Sequence, residues 1–184
     1  MATGHWPAFG GKMKKIIFLI SISLLFISCT STYKYDFNNP SNKALEKNKE
    51  IAVSVSDDGS YGSNIYNGSG RTLSNSIKQQ VKKYSSNVIV LKNNETLKDF
   101  TDEEIKKYDY IIIPEILHWE DRATAWSGLP DKVEVSIEIY DSNRELLKSA
   151  ILSGKSASMT LGSTDPSELL EEPLATFFKS VFEE

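Results

Sequence analysis

The chain has 184 residues, of which 40% are apolar, 10% aromatic and 25% charged, a composition that excludes a disordered or fibrous protein and leaves room for one ordinary domain. Its 21 basic residues face 25 acidic ones; three lysines and no acid precede residue 29, so a chain beginning there carries 18 against 25, a balance of −7. That charge argues against a nucleic-acid binder, which needs a basic footprint for phosphates, while a single cysteine excludes an internal disulfide framework and two histidines leave little for zinc.

Residues 1–12 precede a second methionine, Met13, and are read as a spurious extension without functional weight. From Met13, Lys14 and Lys15 form a positive start and Ile16 to Ile27 an apolar core of 12 residues, too short for a permanent membrane span of ~20 residues. Residues 13–28 therefore have the size and flanks of a signal peptide. Phe26-Ile27-Ser28-Cys29 resembles the lipobox of bacterial lipoproteins, with Phe26 where Leu or Val is usual. That resemblance implies a diacylglyceryl group on the Cys29 thiol and cleavage that leaves Cys29 as the acylated N-terminus. Thr30 rather than Asp follows, which by the sorting rule of enteric-type bacteria implies the outer membrane, facing the periplasm.

Residues 29–49 are polar, with four Asn, four Lys and Pro40 after the cysteine, and are expected to form a flexible tether. The alternation of Tyr33, Tyr35 and Phe37 leaves an edge strand as the alternative, with Asn38-Asn39-Pro40 breaking it. A single globular domain is expected over 50–184. Ile51, Val53 and Val55 alternate as a first strand. A loop with four glycines, Asp57 to Gly70, leads to a helix striped by Leu73, Ile77 and Val81. Val88 to Leu91 is a short buried strand, Thr101 and Glu104 cap a helix over Asp102 to Lys107, and Tyr110 to Ile113 is a second buried run. Ile116 and Leu117 continue it past Pro114, so the strand is expected either to bulge or to end and restart there.

Val133, Val135, Ile137 and Ile139 alternate with polar residues, Asp141 to Arg144 turn, and Leu146 to Ser153 run back. Asp165, Pro166 and Glu168 open a final helix whose stripe is Leu174, Phe177, Phe178, Val181 and Phe182. The order is β-α-β-α-β-β-β-α: an α/β chain, α+β-like, with a mixed sheet, a parallel first half, an antiparallel C-terminal hairpin, and helices packed on the sheet.

The glycine-rich loop lies where phosphate cradles occur, yet neither Gly-x4-Gly-Lys-Ser/Thr nor Gly-x-Gly-x-x-Gly can be fitted, so its glycines read as turn residues. His118, Glu120 and Asp121 lie within four residues and are expected to point in divergent directions on a strand or loop, with no obvious fourth ligand elsewhere for a metal. The expectation is a packed aromatic corner of Trp119 and Trp126, with Asp121 and Arg122 paired locally. No nucleophile elbow occurs.

Asp58-Gly59-x-Tyr61-Gly62 and Tyr66-x-Gly68-Ser69-Gly70-Arg71 resemble the opening of a bacterial lipoprotein family known as domain of unknown function 4823. Pro114 to Thr124, Trp126-Ser127-Gly128, Pro130-Asp131, Gly154-Lys155-Ser156 and Asp165-Pro166-x-x-Leu169-Leu170-x-x-Pro173 extend that resemblance over residues 50–183. It implies an envelope lipoprotein and brings no activity or site residue with it.

The leading expectation is a membrane-anchored, non-enzymatic binding or assembly module without a cofactor or metal. Its partner would be an envelope protein or cell-wall component met through Tyr61, Tyr66, Arg71, Trp119, Arg122 and Trp126, because aromatic and Arg side chains dominate binding energy. The alternative is an envelope hydrolase or small-ligand binder using His118, Glu120, Asp121 and Arg122.

Overall fold

A computed structural model describes residues 30–41, 43–122, 129–157 and 165–183. Five of its strands lie where the alternation and the apolar runs put them, a sixth takes the edge-strand alternative left by Tyr33, Tyr35 and Phe37, and two short strands in the glycine-rich loop do not follow from those patterns. The segment expected as a tether carries strand β1 (Thr32–Asn38), followed by β2 (Ile51–Val53), a small hairpin of β3 (Ser60–Tyr61) and β4 (Asn64–Ile65) within the glycine-rich loop, helix α1 (Ser69–Val81) and β5 (Val88–Val90). Helix α2 (Asp102–Ile105), β6 (Tyr110–Glu120), β7 (Lys132–Asp141), β8 (Leu146–Lys155), a 3-10 turn (Pro166–Leu170) and α3 (Glu171–Glu183) complete the order.

The main sheet runs β1-β8-β7-β6-β2-β5. β2 pairs in parallel with both β5 and β6, while β6, β7 and β8 form an antiparallel meander, so the expected division into a parallel and an antiparallel half holds. The flexible tether does not. β1 pairs antiparallel with β8 along its whole length, and Leu45 is buried with its N–H donating to the Val181 carbonyl at 2.9 Å. Ser31–Glu184 is one compact unit. Asn38-Asn39-Pro40 does break the strand, but seven residues suffice to close the sheet edge and set Phe37 5.5 Å from Phe177.

One face of the sheet holds the main core. Val133, Val135, Ile137 and Ile139 of β7 meet the stripes of α1 and α3 expected from their spacing, including Leu73, Ile77, Phe177, Phe178 and Phe182. Each such side chain removed from water contributes about 2 kcal/mol. Among the described residues the opposite face is covered at its parallel end, where Phe100, Ile105 and Ile111 form a small second core. Arg144, in a left-handed turn at φ 66°, pins that cover by donating to the carbonyl of Phe100 at 2.8 Å and to that of Leu97.

β6 passes through Pro114 without interruption. Residues i and i+2 send their N–H groups to the same sheet edge, and Ile116 N–H donates to Ser56 Oγ at 3.1 Å, beyond the point where β2 ends. The missing proline N–H therefore faces an edge that has already lost its neighbouring strand. The irregularity comes three residues later: the pairing with β7 shifts register between Ile116 and His118. One extra residue, Leu117, reverses the alternation, so Trp119 joins Ile112 in the main core and His118 and Glu120 take the other face.

Candidate functional site

The reversal at Leu117 brings together side chains that a regular strand would separate. Glu120 is 1% exposed, and His118 and two cations, Lys132 and Arg122, close on its carboxylate. His118 Nε2 lies 3.0 Å from Oε2, Lys132 Nζ 3.4 Å from the same oxygen, and Arg122 Nε pairs with Oε1. Lys132 arrives because it faces Glu120 across the β6–β7 pair. Burial pushes the Glu120 carboxyl up, but the hydrogen bond from His118 and the charges of Lys132 and Arg122 outweigh it and hold the group below the usual glutamate range.

Tyr61, at the end of β3, closes the cluster from the side. Its ring stands edge-on to His118 with centroids 5.6 Å apart, the Arg122 guanidinium lies 4.7 Å over its face, and its hydroxyl accepts from Arg122. The Arg122 backbone N–H donates to the buried Asp131 at 2.6 Å, and Asp131 is locked to Ser156 by two hydrogen bonds.

Trp119 points the other way and is 4% exposed. It packs on Gly59 so closely that a Cβ there would lie 2.5 Å from Trp119 Cβ. Trp119 is thus core, and its expected place in a partner surface is corrected. The local Asp121–Arg122 pairing is corrected too: Arg122 turns to Glu120, while Asp121 lines a hollow of about 260 Å³ beside the start of α1 with Tyr66, Asp165 and Trp119. Burial raises the Asp121 carboxyl, as do the neighbouring charges of Asp131 and Asp165.

Of the expected contact residues, Tyr61 and Arg122 meet directly. Tyr66 accepts from the Asp121 N–H at 3.3 Å, and Arg71 reaches the Lys92 carbonyl at 2.6 Å, away from the cluster. Trp126 and Cys29 lie outside the described residues.

The glycine-rich loop acts as a joint rather than a cradle. Asp58 accepts from the N–H groups of Gly68 and Gly70, both at 3.0 Å, and so occupies with the chain's own carboxylate the place where an anion would sit at the start of α1. A Cβ at Gly70 would lie 2.0 Å from the Ser56 carbonyl oxygen, so that close approach requires glycine. Among the described residues no group of His, Cys, Asp and Glu is placed to hold a metal ion.

Residues 43–181 match the family described as "Domain of unknown function (DUF4823)". The chain belongs to that family. No curated protein gives a match. Two solved structures of a PelC dodecamer from Paraburkholderia phytofirmans share the fold. One superposes at a TM-score of 0.60 with 14% identity, covering 82% of this chain and 98% of that one; the other reaches 0.57 with 15% identity, covering 79% and 96%. At such identity the likeness is one of fold alone. For the DUF4823 chain it means that the fold is one also found in a solved structure.

Proposed function

We propose that this DUF4823 protein is a lipid-anchored, non-enzymatic binding or assembly module of the bacterial envelope. The observation that carries the non-enzymatic reading is the closure of the His118–Arg122 cluster on itself. A general acid needs a carboxyl whose proton is retained near neutral pH, and Glu120 is pushed in the opposite direction by the hydrogen bond with His118 and the charges of Lys132 and Arg122. The hydrolase alternative requires His118, Glu120, Asp121 and Arg122 to line one hollow, and Asp121 lies in a different one. The assembly reading draws support from the fold shared with a chain that forms a dodecamer, and the anchor reading from the lipobox-like residues up to Cys29.

The contact surface then centres on Tyr61 and Arg122, with Tyr66 beside them. Photo-crosslinking amino acids at these three positions in intact cells should yield discrete adducts, either with a second copy or with another envelope protein. Sedimentation velocity of the mature chain should separate the two. Adducts from helix α3 positions such as Lys179 with none from Tyr61, Tyr66 or Arg122 would place the surface elsewhere. Turnover of an envelope ester or amide substrate that disappears in His118→Ala would overturn the non-enzymatic reading.

A further inference from the structure

The helical side of the sheet separates charge by flank. Helix α1 packs over β2, β5 and β6, and α3 over β8 and β1. β1 and β5 are the opposite edges of the six-stranded sheet, roughly 24 Å apart at the usual strand spacing. Residues 59–94, which contain α1 and β5, hold Arg71, Lys78, Lys82, Lys83 and Lys92 and no acid. Residues 165–183, which end in α3, hold Asp165, Glu168, Glu171, Glu172 and Glu183 against Lys179 alone. Apart from the half-buried Lys78, all of these side chains are exposed.

None of them forms an ion pair among the described residues, and residues 123–128 and 158–164 contain no charge that could supply one. The acids bordering the basic flank are engaged elsewhere. Asp58 accepts from the N–H groups of Gly68 and Gly70, Glu50 accepts from Asn87 at 2.7 Å, and Glu183 lies against Tyr84 on the side of α3. Glu95 follows where the chain leaves the flank to meet Ser54. Arg71, donating to the Lys92 carbonyl at 2.6 Å, ties the basic helix to the end of the edge strand.

Helix dipoles explain only part of this pattern. Lys82 at the end of α1 and Glu171 and Glu172 at the start of α3 are favoured there, but Arg71 sits in the first turn of α1 and Glu183 ends α3, each at the unfavourable pole. Lys78 and Lys82, four residues apart on one helix, also repel within a single copy. Each flank further exposes an apolar side chain, Ile89 at 44% on β5 and Tyr35 at 39% on β1. Each edge strand is paired on one side only among the described residues.

We infer that copies of this chain dock head to tail, the basic α1–β5 flank of one against the acidic α3–β1 flank of the next. Because the two flanks lie on opposite sides of the domain, a closed pair cannot satisfy both, and the contact repeats into a ring or a filament. The inference gives the assembly reading a partner, a second copy. It rests on neither the anchor nor the surface around Tyr61 and Arg122, which this contact does not use.

The test is sedimentation velocity on the mature chain from residue 29 with Cys29→Ser, so that no acyl group contributes. Species larger than two copies should appear as concentration rises at low salt and dissociate as salt screens the flanks. Lys78→Glu/Lys82→Glu and Glu168→Lys/Glu171→Lys should each weaken association at least about tenfold. An equimolar mixture of the two should restore it, because the reversed flanks match each other, whereas mixing does not rescue a folding defect. Melting curves show whether each variant is folded. Where reversal prevents folding, Lys78→Gln/Lys82→Gln and Glu168→Gln/Glu171→Gln should give a smaller loss of the same sign. Lys98→Glu/Lys106→Glu, near α2, should assemble as the parent does. A chain that stays monomeric at low salt up to about 1 mM, or an assembly that stops at two copies, overturns the inference. So does association indifferent to salt, equal loss in the control pair, or folded reversal variants whose mixture stays apart. Crosslinking at Tyr61 is read separately, so failure of either surface leaves the other standing.

Discussion

At the scale of single residues, Glu120 shows how one buried charge organises a surface. A carboxylate that is 1% exposed survives only because Arg122, Lys132 and a hydrogen bond with His118 compensate its desolvation. Glu120→Gln removes the charge and leaves Arg122 and Lys132 facing an amide. Because both cations are partly exposed and can regain water, the expected loss is about 2 kcal/mol, a fall in Tm of about 4–8 °C in a thermal melt. The pH dependence has a definite sign. A folded-state pKa held below its ordinary value adds stability that is complete above the ordinary glutamate range and is lost as pH falls through the folded value. The parent should therefore lose stability on acidification from neutrality more steeply than Glu120→Gln, read as Tm against pH. Little of this was legible beforehand. Counting along β6 without the bulge puts Glu120 on the same face as Ile112 and Ile116. The partner Lys132 lies 12 residues on, in another strand, with no local signal beyond its place on the polar side of β7.

At the scale of elements, the helices were legible because their apolar stripes do one thing only. Leu73, Ile77 and Val81, and Leu174, Phe177, Phe178, Val181 and Phe182, are all buried. β1 was harder to read because an edge strand needs only one apolar side and tolerates polar neighbours; Tyr33 and Phe37 are half-buried and Tyr35 more exposed. The consequence is practical. A chain cut to begin at Glu50 loses Phe37 from Phe177, Leu45 from the core, and the cover over the β8 edge. It should melt at least about 5 °C below one beginning at Ser31, and light scattering should show it associating through the bared edge. The joint between β2 and α1 offers a sharper element-level test. Gly70→Ala drives a methyl into the Ser56 carbonyl and should destabilise by about 3 kcal/mol in urea unfolding, without altering the residues of the Glu120 cluster.

At the scale of the whole molecule, the proposed anchor rests on one thiol, while the fold rests on a unit that does not contain it. Cys29→Ser should abolish incorporation of labelled fatty acid while leaving the far-ultraviolet spectrum and melting of the domain unchanged. Label retained in that variant would show the lipobox reading to be wrong. The strand order carries a further consequence, in time rather than in space. β7 is paired along its length on both sides, by β6 and by β8, whereas β5 at the far edge holds three residues to β2 alone. In hydrogen exchange, the amides of Val135 and Ile137 should open only with the entire fold, while those of β5 exchange through local fraying orders of magnitude sooner. One sheet would thus contain two clocks, a slow one running down its antiparallel centre and a fast one at its short parallel rim.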